Sequence, residues 1–154
     1  MNPSFLKQAI ELAVDNVCRD GGPFGALIVK NGIVIATGVN QVTHLNDPTA
    51  HAEVVAIREA CRVLGDFQLA GCDLYASCEP CPMCLGAIFW ARPSGVFYAA
   101  TKADAAAAGF DDALIYQQID LPGSERQIPM LRVDDAMARA PFDEWMSQAN
   151  RKKY

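Results

Sequence analysis

The chain has 154 residues, enough for one domain with a sizeable core. Half of them are apolar and the net charge is −5, a poor footprint for gripping a nucleic acid but no obstacle to a small neutral substrate. No apolar run reaches the roughly 18 residues of a membrane span, and Glu11 and Asp15 break the opening segment as a secretory signal, so a soluble cytoplasmic protein is expected, its six cysteines serving as thiols or metal ligands rather than a disulfide framework.

A helix is expected over about 4–19, where Leu6, Ala9, Ile10, Ala13, Val14 and Val17 fit one face. The loop GGPFG (21–25) leads into a buried strand, Ala26 to Val29. Asn31-Gly32 is a type I′ hairpin signal, and Ile33 to Asn40 return as the second strand. The run NDPT (46–49) offers cap residues for a helix over about 50–64. Cys72 to Ser77 reads as a third strand, Pro82 to Ala91 as a core helix apolar almost all round, and Val96 to Ala100 as a fourth strand. Helix is expected from Asp112 to Ile119, a fifth, edge strand over Pro129 to Val133, and a last amphipathic helix over about 141–151. A hairpin followed by strand–helix alternation predicts α/β architecture, with helices on both faces of a mixed sheet and no linker that would split the chain.

Two clusters sit at predicted helix starts, PTAHAEV (48–54) and SCEPCPMC (77–84). Together they match H-x-E…P-C-x-x-C, the signature of zinc deaminases, through His51, Glu53, Cys81 and Cys84. Pro82 suits a first helical position, which makes Cys81 the N-cap and Cys84 the third helical residue, so both sulfurs converge on one helix pole. Pro80 biases Glu79 toward extended backbone, and that carries Cys78 away from the pole. The geometry therefore assigns Cys81 and Cys84 as ligands, against the rival pair Cys78 and Cys81. His51, just after Asp47, Pro48 and Thr49, supplies the third ligand from the other helix start. One imidazole and two thiolates leave a fourth position for water, and helix N-termini favour thiolate. The ligand charges cancel those of Zn2+, so Glu53 is free to take a proton from the water and deliver it to the substrate. The competing view is a closed Cys3His clip with Glu53 an ordinary helix acid.

The runs GGPFGALIV (21–29), NDPTAHAEV (46–54), SCEPCPMCLGAIFWARP (77–93) and AGFDDALIY (108–116), with the ending NRKKY, resemble bacterial guanine deaminases of the cytidine deaminase superfamily over nearly the whole chain. His-Ala-Glu with PCxxC is shared across that superfamily, whereas GFDD and the aromatic C-terminus point to the guanine branch. The resemblance implies a three-layer α/β/α fold around a five-stranded mixed sheet, in a single zinc-dependent deaminase domain. It implies one zinc per chain and hydrolysis of guanine to xanthine and ammonia. It also implies a homodimer in which the segment 134–154 is swapped onto the partner's site. Carried over by position, Phe24 and Trp90 would line the purine pocket, Asn40 would hydrogen-bond the base, Asp112 would read the guanine edge and Tyr154 would close the site.

Each of these has a plainer reading. Phe24 and Trp90 also suit core packing, Asn40 a turn, and Asp112 a helix cap. Glu79, beside the rigid PCP corner, points either into the pocket near the leaving amine or into solvent, and the basic tail Arg151 to Lys153 is either a lid or a solubilising end. Two other functions compete: an RNA adenosine deaminase, which shares the motifs but wants a basic stripe, and a zinc-stabilised binding module.

Overall fold

The structure is a computed structural model that describes residues 2–153. Asn2 opens the first helix, α1 (Pro3–Val17), by accepting a bond from the Ser4 N–H, and Pro3 takes the first turn, where no backbone donor is needed. Strand β1 (Gly25–Lys30) runs back through the hairpin into β2 (Ile33–Val39). The turn has the backbone its sequence demands, with φ of 51° at Asn31 and 76° at Gly32. A short helix, α2 (Val42–Leu45), holds exposed His44 and precedes α3 (Ala52–Leu64). Then follow β3 (Cys72–Cys78), α4 (Pro82–Ala91), β4 (Gly95–Ala100) and α5 (Lys102–Ala107).

The described residues form one four-stranded sheet in the order β2-β1-β3-β4. β1 is antiparallel to both neighbours, and β3 and β4 are parallel across the α4 crossover. Strand β1 has helices over both faces, which explains five buried residues in succession. Ala26 and Ile28 face Ala52, Ala56, Ile57 and Ile88 on the α3/α4 side, while Leu27 and Val29 join Ala9 and Tyr75 on the α1 side. Gly38 allows α3 to lie close on β2, since a Cβ there would strike the Ala52 carbonyl.

Two expectations are corrected. The sheet has four strands, not five, because 129–133 is coil: Pro129 has no N–H for a ladder, and the Met130 N–H goes to the Gly123 carbonyl at 2.9 Å instead. Helix α4 is not buried all round. It turns Cys84, Ile88 and Ala91 inward and leaves Phe89 at 73 % and Trp90 at 64 % exposure. On α1 the buried stripe is Ala9, Ala13 and Asn16, whereas Ile10, Val14 and Val17 stay exposed and line an apolar groove with Phe24 and Phe110.

The chain groups into two compact units, 1–113 and 114–154. The second holds most of α6 (Ala113–Ile119), a 3-10 turn at Gly123–Glu125 and α7 (Ala140–Ser147), which ends four residues short of the expected boundary. Arg126 donates to the Leu121 and Ile119 carbonyls and so caps the end of α6.

Candidate metal centre

His51 and Cys81 are the N-caps of α3 and α4. Neither uses its side chain to cap its own helix, so both are available to converge. His51 Nδ1 lies 3.5 Å from Cys81 Sγ and 3.5 Å from Cys84 Sγ, and the three ligand atoms all lie within 4.8 Å of one another. Tetrahedral zinc with ordinary Zn–N and Zn–S bonds requires a nitrogen–sulfur separation of roughly 3.6 Å. The donor set fits.

The protonation of the site agrees. Bonds from Cys84 and His51 hold the Cys81 thiol down at about 4, despite its burial. The Cys84 thiol is pushed up, because it donates to Cys81 and is itself buried. The bond to Cys81 raises His51 above the ordinary imidazole value. A divalent cation bound here would supply the charge that favours ionisation of both thiols.

Cys78 is outside the cluster. It ends β3, and its thiol points to the Thr101 carbonyl at 3.6 Å, with burial raising its pKa. Three donor groups, not four, gather here, and a tetrahedral ion held by them alone would keep one corner for water, as a hydrolytic site requires. Glu53, in the first turn of α3, is only 7 % exposed. Its carboxyl is raised chiefly by burial and meets the Cys84 side chain. A buried acid with a raised pKa beside an open metal corner is equipped to carry a proton.

The candidate base contacts fall into two groups. Asp112 is half-buried, and its carboxyl is raised by burial and by the nearby Cys81 sulfur. Two residues earlier, Phe110 meets Phe24 edge-on with ring centroids 5.1 Å apart. Asn40 is buried at the end of β2, with its Oδ1 accepting from the Val42 N–H. These residues stand on the same unit as the zinc ligands. Glu79 turns elsewhere: its carboxylate accepts from the Lys102 N–H at 3.0 Å, at the start of α5. Trp90 stands exposed on α4, and Tyr154 lies outside the described residues.

Sequence reading missed Asn16, Ser77 and Phe110. Ser77 Oγ accepts from the Gly25 N–H at 3.0 Å, and the Asn16 amide bridges two loop carbonyls. The signal for Asn16 was present, since a polar residue falls in phase with Ala9 and Ala13 on a helix face that must be buried.

Residues 2–100 match the family model of the cytidine and deoxycytidylate deaminase zinc-binding region. The chain is 60 % identical over 152 residues to the guanine deaminase of Bacillus subtilis, which covers 98 % of this chain and 97 % of that protein. The crystal structure of a Bacillus subtilis guanine deaminase superposes with a TM-score of 0.98, over 100 % of this chain and 99 % of that one. The chain is also 50 % identical over 96 residues to a tRNA-specific adenosine deaminase of Agrobacterium fabrum, spanning 62 % of this chain and 63 % of that protein. A protein crystallised with 2,6-diaminopurine is 36 % identical, with a TM-score of 0.68 over 70 % of this chain and 61 % of its own.

Proposed function

This chain belongs to the cytidine and deoxycytidylate deaminase zinc-binding family, and from that premise we propose that it hydrolyses guanine to xanthine and ammonia. The observation that carries the chemistry is the open His51–Cys81–Cys84 site with Glu53 buried beside it. The choice of guanine is supported by the near full-length likeness to a guanine deaminase.

His51, Cys81 and Cys84 would hold the zinc, which makes a water nucleophilic near neutral pH when bound. Glu53 takes a proton from that water. It would pass that proton to the purine ring, then take the second proton from the attacking oxygen and give it to the departing 2-amino group, which leaves as ammonia. Burial suits it to this work, because raising the pKa of a carboxylate makes it a better proton acceptor. Asp112 reads the edge of the base. Guanine offers two neighbouring donors there, N1–H and the 2-amino group, and an ionised carboxylate only accepts. The bare N1 acceptor of adenine would meet the same carboxylate and be repelled. Phe24, buttressed edge-on by Phe110, provides an aromatic wall, and Asn40 a polar contact.

Trp90 and the C-terminal segment 134–154, Tyr154 included, complete the site in a homodimer, the segment of one chain covering the partner's pocket. The solvent-facing side of α4 supports this reading, with Leu85, Phe89 and Trp90 exposed. Six free thiols suit a reducing cytoplasm, and no helix of the described residues is long and apolar enough to cross a membrane.

A substrate panel tests the proposal: guanine, adenine, cytosine, cytidine and a tRNA stem-loop, with xanthine and ammonia detected directly. Xanthine from guanine is expected, and the base activity should exceed that on the stem-loop by orders of magnitude. Deamination of the tRNA alone would transfer the chain to the adenosine branch. Asp112→Asn should lower kcat/KM for guanine about 10²-fold or more, as expected when an acceptor that pairs with the substrate's donors is replaced by an amide.

A further inference from the structure

Asn16 lies near the end of α1, on the sheet-facing side, and is only 6 % exposed. Its Nδ2 carries two N–H donors and both are engaged: one donates to the Gly22 carbonyl at 2.8 Å, the other to the Asn40 carbonyl at 2.8 Å. The Asn16 backbone carbonyl accepts from the Gly21 N–H at 2.8 Å. The bridged segments are joined again by the Asn40 N–H, which donates to the Phe24 carbonyl at 3.1 Å. The loop leaves no slack. A Cβ on Gly21 would fall on the Asn16 amide, and one on Gly22 would lie 2.9 Å from Asn40 Cγ.

These bonds connect residues that the sequence separates. Asn16 belongs to α1, Gly22 and Phe24 to the loop before β1, and Asn40 to the end of β2. Phe24 and Asn40 are the two residues assigned above to the aromatic wall and the polar contact of the base site. The candidate zinc ligands belong instead to the starts of α3 and α4. An amide suits this junction: it presents two donors from one nitrogen, whereas an ionised carboxylate would present only acceptors to two carbonyl oxygens.

The geometry points to Asn16 as a positioning residue for the base site, one that sets Phe24 and Asn40 relative to each other without touching substrate or metal. The inference rests on the reading that Phe24 and Asn40 meet the purine. Its consequence is a division of labour. Loosening the bridge should weaken capture of the base while the zinc clamp and the Glu53 proton path stay intact. The defect should therefore fall on KM, not on kcat or metal content.

The test uses the full-length zinc protein and three variants. Asn16→Asp removes both donors at constant size, Asn16→Ser keeps at most one, and Leu6→Ala weakens α1 packing at a site away from the bridge. All are assayed below their melting temperatures for zinc per chain, kcat and KM with guanine, and amide hydrogen exchange over 21–25 and 40–42. The expected result for Asn16→Asp is a rise in KM of about tenfold or more, the scale of one buried hydrogen bond lost. The same variant should keep full zinc, hold kcat within a few-fold and show faster exchange in both segments. Leu6→Ala should melt earlier with an unmoved KM. If the aspartate variant does not fold, the serine variant decides the matter, with a smaller shift of the same kind. An unchanged KM in either folded Asn16 variant overturns the inference. So does a KM rise of equal size in Leu6→Ala, which would make the effect one of general stability. Failure of the parent chain to turn over guanine would instead sink the functional reading.

Discussion

Replacing Glu53 by glutamine separates proton transfer from everything else in the centre. The two side chains have nearly the same size, and Glu53 is 93 % withdrawn from solvent by its 7 % exposure, so the substitution opens no cavity. The three candidate ligand residues themselves are unchanged. What disappears is a group able to take up and deliver two protons in succession, one to the ring and one to the leaving amine. A positioned acid–base group contributes about 10²–10⁴-fold. At about 1.36 kcal/mol per factor of ten, that is ~2.7–5.4 kcal/mol of transition-state stabilisation. Xanthine formation, followed by absorbance at saturating guanine, should fall at least 100-fold while zinc per chain and the melting temperature hold. Turnover within tenfold of the parent, at full zinc content, would refute Glu53 as the proton carrier.

Cys78→Ala should leave zinc content at one per chain and turnover within a few-fold, at a stability cost of about 1 kcal/mol for the truncated buried thiol; loss of metal measured in this variant would restore Cys78 as a ligand. Gly38→Ala should destabilise the fold by about 1–3 kcal/mol, seen in denaturant melts, and weaken zinc retention, since its Cβ strikes the Ala52 carbonyl at the foot of the helix that carries His51. Asp104 closes a capping box with Thr101, whose N–H and hydroxyl hold its carboxyl below the ordinary value. Its stabilising effect is therefore present above the unfolded-state pKa and is lost as pH falls through the lower folded one. The melting-temperature gap between the parent and Asp104→Asn should accordingly be largest near neutral pH and close under acid conditions.

The chain itself determined the chemistry and most of the elements, for local reasons. Asn31-Gly32 dictates its turn through the φ values it tolerates, and Pro82 fixes a helix start that must bring Cys81 and Cys84 to one pole. His51 and Glu53, two apart, can serve one site only at a helix end, and Pro48 with Thr49 places that end. Cys78, expected from Pro80 to lie away from the α4 pole, turns its thiol to the Thr101 carbonyl, outside the His51–Cys81–Cys84 group. Tertiary structure decided what depends on partners far along the chain. The segment 129–133 stays coil because the Met130 N–H goes to the Gly123 carbonyl, a partner that the segment's own apolar pattern does not reveal. Which side of α4 is buried could not be read from a helix apolar all round, because such a pattern has no polar face to mark the outside. The Asn16 bridge is the clearest case: its donors are set by α1, but its acceptors lie 6 and 24 residues away and meet it only once α1, the loop and the end of β2 have packed together.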